Sequence, residues 1–229
     1  MLSAEEWQVV ALSLQVAAAA LALMALPGIA CGWLLARVRF PGRALLDTLI
    51  HLPLVLPPVV TGWLLLAACG RRSWLGGLLW DWFEVRLVFD WKGAVLAAAV
   101  MAFPLLVRAV RLAIELGDRD LERAAATCGA GPWRVFATVT LPLAAPGIIA
   151  GLVLAFARCL GEFGATITLA GNIPGESRTL PVAIWTWTQV PDGDAQVWRL
   201  VALSLVVSVL ALAGSEWLAR RLRGRMGLE

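Results

Sequence analysis

Arg158 and Glu162 stand four residues apart in an otherwise apolar stretch from about Ala144 to Phe163. Helical periodicity puts residues at that spacing on one face, where opposite charges can meet. Ionised groups at membrane depth are costly, face a bundle interior or water, and usually pair. Two readings stay open for this pair. It is an intrahelical ion pair that fixes packing, or both residues line a path in which Arg158 helps an anion past and Glu162 prevents tight trapping. The stretch Thr166–Thr179, with Thr166, Thr168, Gly171, Asn172, Gly175, Ser177 and Thr179, offers neutral donors of the kind that bind oxyanions without a full charge. It reads equally as an exposed loop that contacts a partner.

Other chemistry is poorly supplied. His51 is the only histidine, and Cys31, Cys69, Cys128 and Cys159 lack metal-type or CxxC spacing, so no metal site is expected. The cysteines read as small apolar residues in packed helices, and His51 as an interfacial residue rather than a proton relay. Lys92, the only lysine, lies between Trp91 and Gly93 and cannot serve a phosphate-binding glycine loop. Without HExxH or a Ser/Lys dyad, no catalytic residue is assigned and the chain is not expected to be an enzyme.

The elements that must hold these residues follow from composition. Of 229 residues, 60% are apolar and 15% charged, with mean hydropathy +0.81. A soluble domain carries about 25% charged residues. The deficit excludes a disordered chain, a nucleic-acid-binding domain and an ordinary cytosolic enzyme, leaving an integral membrane protein. A bilayer core needs about 20 apolar residues per helix. Five stretches qualify, at about 7–35, 45–69, 93–110, 144–163 and 197–218, with a basic tail over 220–229. The expected fold is therefore all-α, one polytopic transmembrane helix bundle over 7–219. The acidic start at Glu5 and Glu6 and the long apolar run argue against a signal peptide.

Arginine placement predicts the orientation. With the N-terminus outside and the C-terminus inside, the cytoplasmic segments hold twelve basic residues and the outer ones five. Trp7, Trp74, Trp80, Trp82, Trp91, Trp185, Trp187 and Trp198 then fall near the outer interface, and Trp33, Trp133 and Trp217 near the inner one, as indole anchors do. Asp81–Glu84 is expected in a short interfacial helix. Pro53, Pro57, Pro58 and Gly62 in the second stretch, with Pro27 and Pro104 elsewhere, predict kinked or broken helices, which favour a transport path over a simple anchor.

Residues 111–143 form the most charged interior stretch. Asp118 can cap a helix with Asp120 and Glu122 in its first turn. Leu121, Ala124, Ala125 and Cys128 recur at helical spacing, and Gly129 sits where that helix would end. Gly131-Pro132 starts a second short helix with Trp133, Phe136 and Val139 on its apolar face, which Leu141-Pro142 is expected to stop. The result is a compact helical knuckle, suited either to docking in a groove or to packing on its own bundle.

The run Ala124-Ala125, three residues, Gly129, nine residues, Val139, one residue, Leu141-Pro142 resembles the EAA loop of binding-protein-dependent ABC importer permeases. It departs at Arg123, where the family has glutamate, with Glu122 one position earlier, and at Val139 for the common isoleucine. The segments from Pro53 to Gly62 and from Arg158 to Gly175 are similar to the molybdate permease subunits of that family, and tungstate and sulfate permeases share much of them. The resemblance covers about Val9 to Leu218. It implies an ATPase-coupling surface from Glu122, Arg123, Ala124, Ala125, Gly129, Gly131, Trp133, Leu141 and Pro142. It also marks Pro57, Pro58, Thr61, Arg158, Glu162 and Thr166 as candidates for the translocation path or gate.

The implied partners are a second copy of the chain, two cytoplasmic ATPase subunits that bind ATP and Mg, an extracytoplasmic oxyanion-binding protein and membrane lipid. The chain itself is expected to hold no cofactor and to bind no nucleic acid. The setting is the cytoplasmic membrane of a prokaryote. Five spans are few for a gated anion path, which favours a homodimer with the path at its two-fold interface. A gradient-driven secondary transporter is the alternative of another class. It would need inverted repeats with paired broken segments, and no convincing repeat is visible.

Overall fold

The computed structural model describes residues 3–225, and those residues form helices joined by short turns. In chain order they are α1 (Ala4–Arg37), α2 (Arg43–Val55), α3 (Pro58–Cys69), α4 (Trp74–Phe83), α5 (Trp91–Glu115), α6 (Arg119–Thr127) and α7 (Pro132–Val135). A π-helical turn (Phe136–Thr140) leads into α8 (Leu141–Leu160), followed by α9 (Gly164–Leu169), α10 (Leu180–Thr188) and α11 (Asp194–Arg225). Four helices are long and apolar enough to cross a membrane, and a fifth span results if α2 and α3 count as one. Residues 226–229 of the expected basic tail lie outside the described part, and α11 runs on through the rest of it to Arg225.

α5 is the central helix, packed between α1 and α8. Two thirds (67%) of its apolar window is buried, against 6% for α11 at the periphery. Small residues permit the close approach. A methyl on Gly28 of α1 would come within 2.6 Å of Leu106, and one on Gly151 of α8 within 2.6 Å of Ala109. Helices in lipid associate largely through such tight van der Waals contact, since burial from water no longer drives them together. Ala94, Ala98, Ala102, Leu106 and Val110 form the α5 side of this core.

The second apolar stretch is not one rod. α2 and α3 meet at 114° across Leu56-Pro57. Proline disfavours helical backbone in the residue before it, and the Pro57-Pro58 pair applies that restriction twice. Leu56 (ψ 142°) and Pro57 (ψ 133°) are accordingly extended, and Pro58 opens α3 at a position where a missing N–H is harmless. Pro27, Pro53, Pro104 and Pro146 lie inside continuing helices.

Two further expectations are corrected. Leu141-Pro142 does not stop the second knuckle helix. The chain passes through the wider π-helical turn, where the Leu141 N–H bonds to the Phe136 carbonyl, and continues into α8. The wider turn makes room for the Pro142 ring, which would otherwise crowd the preceding carbonyls. The continuous helical segment that contains the fourth candidate span therefore runs over Pro132–Leu160. It ends before Gly161, so Glu162 and Phe163 lie beyond the helix. Asp81–Phe83 lie, as expected, in a short helix, α4 (Trp74–Phe83), which Glu84 ends by turning left-handed (φ 53°).

Candidate functional site

The two proline- and glycine-bearing segments meet where α3 and α9 begin. A methyl on Gly164 would lie 2.7 Å from the Pro58 ring. One turn along α3, a methyl on Gly62 would fall 2.8 Å from the Ala165 Cα and carbonyl oxygen and from the Thr168 Cβ. Two of these three contacts are backbone, so Gly62 sets how closely the helices approach. Thr61 and Thr166 are buried nearby in the same two helices, and the Thr61 hydroxyl has no hydrogen-bond partner. Gly62→Ala is expected to push α3 off α9 and lower stability by ~1–3 kcal/mol, as overpacking does. Thermal unfolding of the purified membrane protein would measure the loss.

Arg158 and Glu162 brace the corner between α8 and α9. The Arg158 Nη1 donates to Glu162 Oε2 at 2.6 Å, and Glu162 Oε1 accepts the Ala165 N–H at 2.9 Å. The Glu162 side chain is 2% exposed and that of Arg158 is 29% exposed. One carboxylate thus neutralises the guanidinium at the end of α8 and satisfies a free donor at the start of α9. It holds the α9 start against Pro58 and Gly62.

The segment after α9 is a folded strap, not an exposed loop. Ser177 is fully buried and its hydroxyl accepts the Ile173 N–H at 3.2 Å. Arg178 donates to Asn172 Oδ1 at 2.7 Å and to Glu5 at 2.9 Å, while Asn172 Nδ2 reaches Thr186 at 2.9 Å. The Asn172 amide is therefore engaged within the protein through both its oxygen and its nitrogen, and the Ser177 hydroxyl serves there as an acceptor. The strap is tied to the first turn of α1, where Glu6 also meets Arg199 of α11 at 2.8 Å.

At the other end of the bundle the knuckle is built as the sequence predicts through its first helix. The Asp118 carboxylate accepts the Asp120 N–H at 2.8 Å, and Gly129 takes the left-handed conformation (φ 87°) that closes α6. Leu121, Ala124, Cys128 and Gly131 are exposed, as is Trp133 at 81%. Ala125 is half-buried, and Leu141 packs on the core while Pro142 is exposed. Glu122 turns inward. Its Oε1 accepts from Arg37 Nη2 and from the Thr140 hydroxyl, each at 2.8 Å. Arg123 points outward and, among the described residues, meets only Asp120, at 2.9 Å. Trp33, expected as an interfacial anchor, packs edge-on against Phe136 at 5.7 Å and helps seat the knuckle. Cys128 departs from the expectation of buried cysteines, because the alanine-lined face that carries it is open.

Sequence reasoning did not bring together Arg37 with Glu122, or Asp47 and His51 with Arg108, Arg111 and Glu115. The i, i+4 pairs Asp47–His51 and Arg111–Glu115 were the available signal for the second group. No group of three or more His, Cys, Asp or Glu among the described residues could hold a metal ion.

Residues 28–224 match the model of the family described as binding-protein-dependent transport system inner membrane component. The chain belongs to that family. Such inner-membrane components are multi-pass permease subunits, which agrees with the all-helical bundle. Among its relatives, the molybdenum transport system permease protein ModB of Escherichia coli (strain K12) is 59% identical over 97% of both chains. The ModB protein of Haemophilus influenzae is 52% identical over 94% of both. The sulfate transport system permease protein CysT of Escherichia coli is more distant, at 36% over 87% of this chain and 71% of that one. A bacterial ABC transporter involved in alginate import shares the fold with TM-score 0.73, covering 96% of this chain and 80% of that one at 17% identity. The MetNI methionine ABC transporter does so with TM-score 0.69, over 95% and 94%, at 14% identity.

Proposed function

We propose that this chain is the permease subunit of an ABC importer that carries molybdate into the cell. The observation that carries the reading is identity of 59% along nearly the whole chain to a permease named for molybdenum transport, against 36% to one named for sulfate. In this reading the N-terminus is outside, two copies form the path at a two-fold interface, and an extracytoplasmic binding protein delivers the anion. Two cytoplasmic ATPase subunits hold ATP and Mg and dock on the exposed face of α6 and α7. ATP binding draws the two knuckles together and opens the path outward, and hydrolysis returns it inward.

Each structural part has a physical task in that cycle. The knuckle is held rigidly to the bundle by Glu122 and Phe136, so a push on α6 is transmitted rather than absorbed locally. The α3–α9 contact, with Pro57, Pro58, Thr61 and Thr166, is a close-packed layer seated on Gly62 and Gly164 beside Leu65, Leu66 and Leu169, and it is the layer that parts when the path opens. Reconstitution of this chain with its ATPase and loaded binding protein is expected to give ATP-dependent molybdate uptake, with sulfate a poor substrate. Uptake by this chain alone, driven by an ion gradient, would overturn the proposal in favour of a secondary transporter.

A further inference from the structure

One face of α5 changes character along its length. Residues 97, 101, 108 and 115 stack on that face by the helical period. Ala97 and Met101 are buried against Ala165 and Leu169 of α9, with Leu65 and Leu66 of α3 alongside. Arg108 follows seven residues on, about 10 Å along the axis. There the face opens on a 350 Å³ cavity between α2 and α5, lined by Asp47, His51, Arg108, Arg111, Leu112 and Glu115.

The charges around this cavity are not equally engaged. Arg111 is gripped by Asp47 at 3.0 Å and Glu115 at 2.9 Å. His51 lies 3.2 Å from Asp47, and Arg43 is 3.9 Å from Glu115. Arg111 thus takes one oxygen of each carboxylate, while Asp47 Oδ1 is buried with no hydrogen bond among the described residues and lies beside His51. Arg108 is exposed to the cavity and makes no hydrogen bond or ion pair among the described residues. Three arginines against two carboxylates leave one positive charge in excess, and Arg108 is the guanidinium free to use it.

We infer that Arg108, with Arg111 held beside it, binds a tetrahedral oxyanion in this cavity. The site lies below the α3–α9 contact on the same face of α5. With the N-terminus outside, it is the first cationic side chain on this face that an anion meets after passing that contact. A guanidinium fork matches tetrahedral oxyanions well, and a single uncompensated one flanked by Asp47 and Glu115 binds a dianion weakly. Weak binding is what release to the cytoplasm requires. This inference deepens the importer reading and rests on it for direction. The same chemistry would also accept the phosphate of an anionic lipid.

His51 is the only histidine, so imidazole labelling gives one reporter inside the cavity. The full-length protein, labelled on histidine and held in nanodiscs of neutral lipid, would be titrated with sodium molybdate against sodium chloride at equal ionic strength. The His51 signal is expected to move saturably in the millimolar range, and Arg108→Gln to weaken the midpoint at least tenfold while Arg108→Lys weakens it less. In the reconstituted importer, Arg108→Gln should slow uptake at least tenfold and leave the unfolding temperature unchanged. No saturable shift, or one that Arg108→Gln leaves intact, overturns the inference. A shift produced by anionic lipid and not by molybdate overturns it in favour of a lipid site. Wild-type protein that binds molybdate here but shows no ATP-dependent uptake would instead sink the importer reading and leave the binding site standing.

Discussion

Glu162→Ala is expected to destabilise this protein more than any other single substitution at its candidate gate. The change leaves Arg158 without its counter-ion and strips the acceptor from the Ala165 N–H. Breaking a buried ion pair from one side costs up to about 3–5 kcal/mol, and the cost here falls at the low end because the guanidinium left behind is 29% exposed. An orphaned backbone donor adds ~1–3 kcal/mol. That sum approaches the whole stability of many domains. Yield of folded protein from the membrane, and its unfolding temperature where any is obtained, would measure the loss. Arg158→Met with Glu162→Gln removes both charges while keeping an acceptor for Ala165. The double variant is expected to recover most of the stability and to retain transport. If it folds yet carries no anion, the pair lies in the path and the brace assignment is wrong.

The second large effect falls on coupling. Glu122→Gln is expected to reduce stimulation of the ATPase by loaded binding protein at least tenfold while the importer still assembles. Glu122 joins α1 to the knuckle through Arg37 and also receives Thr140 from the π-helical turn. The pair is well shielded, with side chains 11% and 20% exposed. Arg37 Nε and Nη1 are buried without other partners, so the guanidinium depends on this carboxylate. Neutralising it frees α6 to move independently of α1, and motion at the ATPase is then lost in the loop. Arg123→Ala is the contrasting case. Its ion pair with Asp120 is 74% and 82% exposed, a geometry that contributes little to stability. The Arg123 variant should unfold at the wild-type temperature and weaken only ATPase docking. Measuring ATPase stimulation and unfolding temperature for both variants separates the roles, and equal effects on both readouts would contradict them.

The Asp118 cap, the Leu121–Cys128 spacing and Gly129 predicted α6 where it stands, because capping, glycine termination and helical spacing are local properties. The same reasoning could not orient Glu122. Whether a carboxylate on a short helix faces a partner or its own bundle depends on what the bundle offers, here an arginine 85 residues earlier in the chain. The Pro57-Pro58 break was legible as a break, since two prolines restrict the backbone wherever they stand. Its 114° angle was not, because neighbouring helices set the direction of a freed joint. Leu141-Pro142 misled for a related reason. Proline ends an isolated helix, but a π-helical turn absorbed it within a packed one.

By itself the sequence determined that the chain is helical and membrane-embedded, that Pro57-Pro58 breaks its second apolar stretch, and where the α6 knuckle helix lies. These follow from hydropathy, proline and glycine, whose effects act over a few residues. Arginine placement supplied a proposed orientation by the same local logic. Only the tertiary structure decided which charges are partners. It gave Glu162 to the α9 start, Glu122 to Arg37 and both carboxylates of the α2–α5 cavity to other arginines, leaving Arg108 free. Electrostatic pairing depends on distances between segments far apart in the chain, and only packing sets those distances.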